Sequence, residues 1–140
     1  MIKDKMIPKN IDSLLPKAFA YLQERKDIVF AYLFGGLARG KALPLSDVDI
    51  AIYFSENVEP LSKKMEVLGD LIDILRTDEI DLVVLNTASL PLAMRILQKK
   101  KIITDKVPLA RQRYESLTMR SYFDFAKKEM DILERRFMNG

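Results

Sequence analysis

Leu33-Phe34-Gly35-Gly36, then ten residues, then Asp47-Val48-Asp49-Ile50-Ala51-Ile52 is the stretch on which the reading of this chain turns. Ile28 to Phe34 is a short apolar, aromatic and β-branched run that stops at the glycine pair, the pattern of a buried strand. Val48 to Phe54 reads as a second strand. Successive strand side chains alternate between faces, so Asp47 and Asp49 share one face while Val48, Ile50 and Ile52 point into a core. Two carboxylates on one face, roughly 7 Å apart along the strand, repel unless something positive sits between them. A magnesium ion, or two ions about 4 Å apart, would supply that charge and could hold the phosphates of a nucleotide.

The glycine pair fits the same chemistry. Glycine lets backbone N–H groups approach phosphate oxygens closely, and a helical turn starting there would add its positive dipole end. Arg39 and Lys41 follow within a few residues, and Pro44 and Ser46 close the segment. Asp81 is the third piece: it begins the run Asp81-Leu82-Val83-Val84-Leu85, within a third strand from Ile80 to Leu85. If that strand lies beside Val48–Phe54, Asp81 can complete a metal site or take the proton of an attacking hydroxyl. Singly, each motif has an ordinary reading. An Asp-x-Asp opens many solvated strand ends, Gly-Gly is most often a turn, and Asp81 follows the acidic pair Asp78-Glu79. The combination of strand, glycine pair, Asp-x-Asp strand and later strand acid favours catalysis.

Working outward, Ile11, Leu14/Leu15, Ala18 and Leu22 predict a first helix, with Pro16 tolerable if that helix starts near Asp12 or Ser13. Pro60 is placed to start a helix whose stripe is Leu61, Met65, Leu68, Ile72 and Leu75. Leu90 to Gln98 reads as a short helix, and Ile102-Ile103 as a short edge strand. A long C-terminal helix is expected over 108–139, with Met119, Tyr122, Ala126, Met130, Leu133 and Phe137 on one stripe and Phe123, Phe125 and Ile132 off it. At 1.5 Å per residue it would be roughly 45 Å long, more than so small a domain can cover, so it must bend or pack on another chain. The expected class is α/β (α+β), a small mixed sheet backed by helices, in one domain over 1–140.

Composition narrows the chemistry. The chain has no cysteine and no histidine, which excludes a disulfide framework, a thiolate or imidazole zinc site, and any Ser-His or Cys-His nucleophile pair. Carboxylates, hydroxyls, Lys, Arg and backbone groups remain, the donors of hard cations such as Mg²⁺. A net charge of +3 is too small for a dedicated nucleic-acid binder. Direct nucleic-acid binding is accordingly not expected: Lys99-Lys100-Lys101 reads as a solvated helix end, and Tyr114, Tyr122 and Phe125 as core or interface residues. No apolar run approaches the ~20 residues of a membrane span, and the N-terminus lacks the apolar stretch of a signal peptide, so a cytoplasmic location is the expectation.

Gly35-Gly36-x10-Asp47-Val48-Asp49 resembles the signature of the polymerase-β-type nucleotidyltransferases. The short length, the Leu37-Ala38-Arg39-Gly40 and Leu45-Ser46-Asp47 contexts and the long last helix are similar to the minimal members, the adenylyltransferase antitoxins of HEPN–MNT toxin–antitoxin pairs. The resemblance implies a nucleotidyltransferase fold, with Asp47, Asp49 and Asp81 catalytic and binding two Mg²⁺ ions. It implies that Gly35, Gly36, Arg39 and Ser46 bind the nucleotide. It further implies ATP as donor, with AMP passing to a tyrosine hydroxyl of a partner HEPN ribonuclease and silencing it. Most such antitoxins carry serine where this chain has Gly36, so a hydroxyl contact to phosphate or metal is missing here. Two alternatives stand beside this reading: an antitoxin acting by stable binding to the toxin, and a transferase acting on a small hydroxylated molecule. The latter lacks the extra substrate-binding domain of antibiotic-modifying relatives.

Overall fold

A computed structural model of the chain describes residue 8, residues 10–38 and residues 47–138. Among the described residues, nine elements run in the order α1 (Ile11–Glu24), β1 (Ile28–Phe34), α2 (Gly35–Ala38), β2 (Val48–Phe54), α3 (Pro60–Leu75), β3 (Ile80–Val84), α4 (Leu90–Gln98), β4 (Lys101–Asp105) and α5 (Pro108–Met138). The strands form one mixed sheet in the order β3-β2-β1-β4. β1 is antiparallel to both β2 and β4, and β2 runs parallel to β3 through the crossover helix α3.

Both sheet faces are covered. Val48, Ile50, Ile52 and Phe54 of β2 are fully buried with Leu14, Ala18 and Leu22 of α1 and Val67, Leu71 and Leu75 of α3. The opposite face carries a second, smaller core of Phe30, Tyr32, Ala51, Leu85 and Ile96 beneath α4 and the first turns of α5. Tyr114 of α5 seals it, its ring centroid 5.7 Å from that of Phe30 and 5.3 Å from that of Tyr53, while its hydroxyl donates to the Leu85 carbonyl at 3.2 Å.

The periodicities hold with two corrections. The buried face of α1 is Ile11, Leu14, Ala18 and Leu22, as expected, but the helix starts at Ile11, so Pro16 sits beyond the first turn. Pro16 and Asp12, whose carbonyl loses its intrahelical N–H, are both on the exposed side of α1. In α3 the buried face is Val67, Leu71 and Leu75; Leu61 and Met65 are 68% and 59% exposed. The first turn of α3 overhangs the sheet, anchored by Glu59, whose carboxylate accepts from the Leu61 and Ser62 N–H groups at 3.2 and 2.6 Å.

Lys100 also departs from expectation. Its ammonium is not solvated but 2.8 Å from Glu115, which further accepts from the Tyr32 hydroxyl at 2.8 Å and from Arg111 at 3.0 Å. Arg111 in turn bonds Asp105 at 2.9 Å. This network fastens the base of α5 to β1 and β4, and residues 83 apart in sequence leave no local signal of it. Desolvation raises the Glu115 pKa, but the hydrogen bonds from Lys100, Tyr32 and Arg111 outweigh it and hold the carboxyl below its usual range. Glu115→Ala leaves the Lys100 ammonium and the Tyr32 phenol without their shared acceptor and Arg111 with Asp105 alone, and chemical denaturation should show a loss of about 3 kcal/mol, the scale of a broken buried pair. Asp27 is likewise held low, by its hydrogen bonds from Arg25. For both acids the stabilisation is full above the unfolded-state pKa, near 4, and is lost as pH falls through the depressed folded-state values. A melting-temperature profile should therefore be flat at neutral pH and fall steeply below about pH 4.

Only the first half of α5, as far as Tyr122 beside α4, rests on the domain. The helix runs unbroken for 31 residues, about 46 Å. Phe123, Phe125, Met130, Ile132, Leu133 and Phe137 are 44–84% exposed along its outer half. No described helix is long and apolar enough to cross a membrane.

Candidate active site

Three strand ends build the site. β1 finishes at Phe34, which lies opposite Asp49 of the antiparallel β2, and the chain turns at once into the single helical turn Gly35–Ala38. Asp47 directly precedes β2. Since β3 is parallel to β2 and in register, Asp49 pairs with Asp81, as Ile50 pairs with Leu82. Residues in register across a ladder project to the same face, so Asp49 and Asp81 are neighbours on the face that also carries Ala51, Tyr53 and Val83. The placement of Asp81 that the sequence made conditional on strand order is thereby met. Asp47 and Asp49 are half-buried and Asp81 is exposed, at the open end of the smaller core.

Gly35 is fixed by geometry. Its φ is +72°, in the left-handed region, and a Cβ built on it would lie 2.0 Å from Oδ2 of Asp49 and 2.9 Å from its Cγ. The sequence reading gave the glycine pair the task of approaching a phosphate; what the structure shows is the Gly35 backbone closing against the Asp49 carboxylate. Among the described glycines with positive φ Gly35 stands alone, so Gly36 carries no such backbone demand. Arg39, Lys41 and Ser46 lie outside the described residues.

The donor set suits a hard divalent cation: carboxylate oxygens on one face, at the mouth of the sheet, beside backbone amides. Among the described residues no group of three acidic side chains is gathered tightly enough to hold a metal ion, so the triad shares a face without forming a closed cage. Were such an ion bound, Asp47 and Asp49, two residues apart, would be the side chains to hold it, and Asp81 lies in register beside Asp49. A groove of about 530 Å³ opens next to Asp81, between β3, the first turn of α3 (Glu59, Leu61, Lys64) and Ser89 at the start of α4. Sequence patterning gave no sign of it, because it is made by the overhang of α3.

Comparison with known proteins agrees with this architecture. The family described as "Polymerase beta, Nucleotidyltransferase" matches residues 17–108, from α1 to the start of α5. A solved toxin–antitoxin structure with AMP-PNP is similar in fold, with a TM-score of 0.69 at 21% identity over 90% of this chain and 98% of the other. A complex of a tri-AMPylated Shewanella oneidensis HEPN toxin with an MNT antitoxin gives a TM-score of 0.64 at 19% identity, over 92% and 98%. A minimal nucleotidyltransferase gives 0.55 at 24% identity, over 65% of this chain and 93% of its own. At these identities the likeness is one of fold, and the curated proteins give no match. The strand register, the glycine abutting Asp49 and the match across most of the chain converge on one conclusion: this chain belongs to the polymerase-beta nucleotidyltransferase family.

Proposed function

We propose that the chain is a Mg²⁺-dependent adenylyltransferase that moves AMP from ATP to a tyrosine hydroxyl of a partner HEPN ribonuclease and so neutralises it. The observation that carries the reading is the in-register pair Asp49–Asp81 beside Gly35, within a family of nucleotidyltransferases. The choice of donor and acceptor draws on the fold neighbours, one holding AMP-PNP and one a tri-AMPylated HEPN toxin.

In this reading Asp47 and Asp49 hold the magnesium, which when bound neutralises phosphate charge and orients the α-phosphorus. Backbone N–H groups at Gly35-Gly36 receive the triphosphate. Asp81, exposed and adjacent, takes the proton from the acceptor hydroxyl. The hydroxyl oxygen forms a bond to the α-phosphorus as the bond from that phosphorus to the bridging oxygen breaks, and pyrophosphate leaves with the electron pair. Incubation with α-labelled ATP, Mg²⁺ and a HEPN ribonuclease should label that ribonuclease, and chelation of the metal should stop it. Labelling that persists in excess chelator would contradict the metal-dependent mechanism.

Gly36 permits a gain-of-function test. Its φ does not demand glycine, so Gly36→Ser should fold normally and restore a hydroxyl donor to the phosphates. One charge-assisted hydrogen bond is worth about 1.5 kcal/mol, so initial transfer rates should rise roughly tenfold.

A second reading, neutralisation by stable binding, is favoured by the exposed apolar side chains on the outer half of α5. The two are compatible. Truncation before Leu117 that abolishes neutralisation while Asp47→Asn does not would make binding the principal mechanism.

A further inference from the structure

The two edges of the sheet are treated differently. At β4 the Ile103 carbonyl takes the side-chain amide of Gln23 from α1 at 3.2 Å. β3 has no described strand on its outer side. Its polarity can be assigned from the ladder: Val48 N–H donates to Glu79 O at 2.9 Å and Leu85 N–H to Ile52 O at 2.8 Å. Main-chain groups alternate along a parallel strand, so those of Glu79, Asp81, Val83 and Leu85 face β2, and those of Ile80, Leu82 and Val84 face outward. The Val84 carbonyl accepts from Thr87 N–H at 3.3 Å, which closes the strand end. Left facing outward, with no described group bonded to them, are the carbonyls of Ile80 and Leu82 and the N–H groups of Leu82 and Val84.

Leu82 and Val84, which carry three of these groups, line the groove beside Asp81, which follows β3 from Asp81 to Val84 and is walled by Leu61, 68% exposed, and by Lys64. Resting on the adenylyltransferase reading above, we infer that the free edge of β3 is the acceptor site, and that the acceptor is bound as an extended peptide segment adding a fifth strand. The occupant follows from the geometry. Alternating outward donors and acceptors at strand spacing match the main chain of a peptide. On such a strand every second side chain projects to one face. A hydroxyl-bearing residue in register with Asp81 therefore emerges on the face of Asp49 and Asp81, while its neighbours point to the other side. The apolar wall at Leu61 covers the added segment. Main-chain bonding supplies affinity with little demand on the acceptor's sequence, and the register selects which hydroxyl meets the acids.

Amide hydrogen exchange tests this independently of AMP transfer. In the free protein the Leu82 and Val84 amides should exchange fast, and those of Asp81, Val83 and Leu85, bonded to β2, slowly. Adding the HEPN ribonuclease proposed as acceptor, without ATP, should slow exchange at Leu82 and Val84 at least tenfold. Leu61→Asp, a change at an exposed side chain, should remove that protection and leave the inner amides as they were. If Leu82 and Val84 stay unprotected with the partner present, the edge site is wrong, whether or not AMP is transferred. If they are protected but labelled ATP gives no labelled partner, the edge site stands as a peptide-binding site and the transfer chemistry is what fails.

Discussion

Gly35→Ala should abolish nucleotidyl transfer while leaving a folded, measurably weakened protein. Two costs act at one atom. A non-glycine residue held at a φ of +72° costs about 1–2 kcal/mol, because its Cβ crowds the following carbonyl. The same Cβ falls 2.0 Å from the Asp49 carboxylate oxygen, a separation no real contact tolerates, so Asp49 must turn away or β1 and β2 must part at their ends. The collision is with the end of a side chain, and turning the carboxylate is the cheaper relief. Thermal denaturation should show a loss of about 1–2 kcal/mol, and the transfer rate should fall by two orders of magnitude or more, the effect of displacing a catalytic group by an ångström or so. A Gly35→Ala protein with undiminished transfer would show that the position of Asp49 is immaterial to the chemistry.

The Asp47→Asn/Asp49→Asn double substitution should be the more severe for function, with transfer reduced ~10³-fold or further, the scale on which preorganised electrostatic stabilisation of a transition state operates. Amide replaces carboxylate nearly isosterically, so the core made by Val48, Ile50 and Ile52 is untouched. Asp81→Asn supplies the companion test. Asp81 pairs in register with another carboxylate, and like charges directly opposite destabilise a sheet by a few tenths of a kcal/mol. Transfer should fall while the melting temperature holds or rises slightly. Loss of activity together with a large loss of stability would mean that the acid belongs to the fold and not to the reaction.

What the sequence disclosed and what it concealed divide along physical lines. β1 and β2 were legible to the residue, Ile28–Phe34 and Val48–Phe54, because apolar runs ended by glycine or acid have no other good solution. The shared face of Asp47 and Asp49 followed from strand alternation alone. The pairing of Asp81 with Asp49 did not: it depends on β3 docking parallel to β2, a long-range event with no local signature. The stripe assigned to α3 failed at Leu61 and Met65 because periodicity cannot tell where a helix overhangs the sheet beneath it. That overhang makes the groove at Asp81. Lys100 was misjudged for a related reason, since Glu115 and Tyr32 reach it only once α5 lies across the sheet. The expectation that the last helix exceeds what the domain can bury holds: it is continuous through 31 residues, and its outer apolar side chains are exposed.

The intact mass of the partner protein, before and after incubation with this chain, ATP and Mg²⁺, is the most direct measurement. The account predicts that the partner gains adenylate on a tyrosine hydroxyl, that its ribonuclease activity falls in step, and that the Asp47→Asn/Asp49→Asn protein does neither. A partner that is bound and silenced yet unchanged in mass, or one modified equally by the double variant, would contradict it.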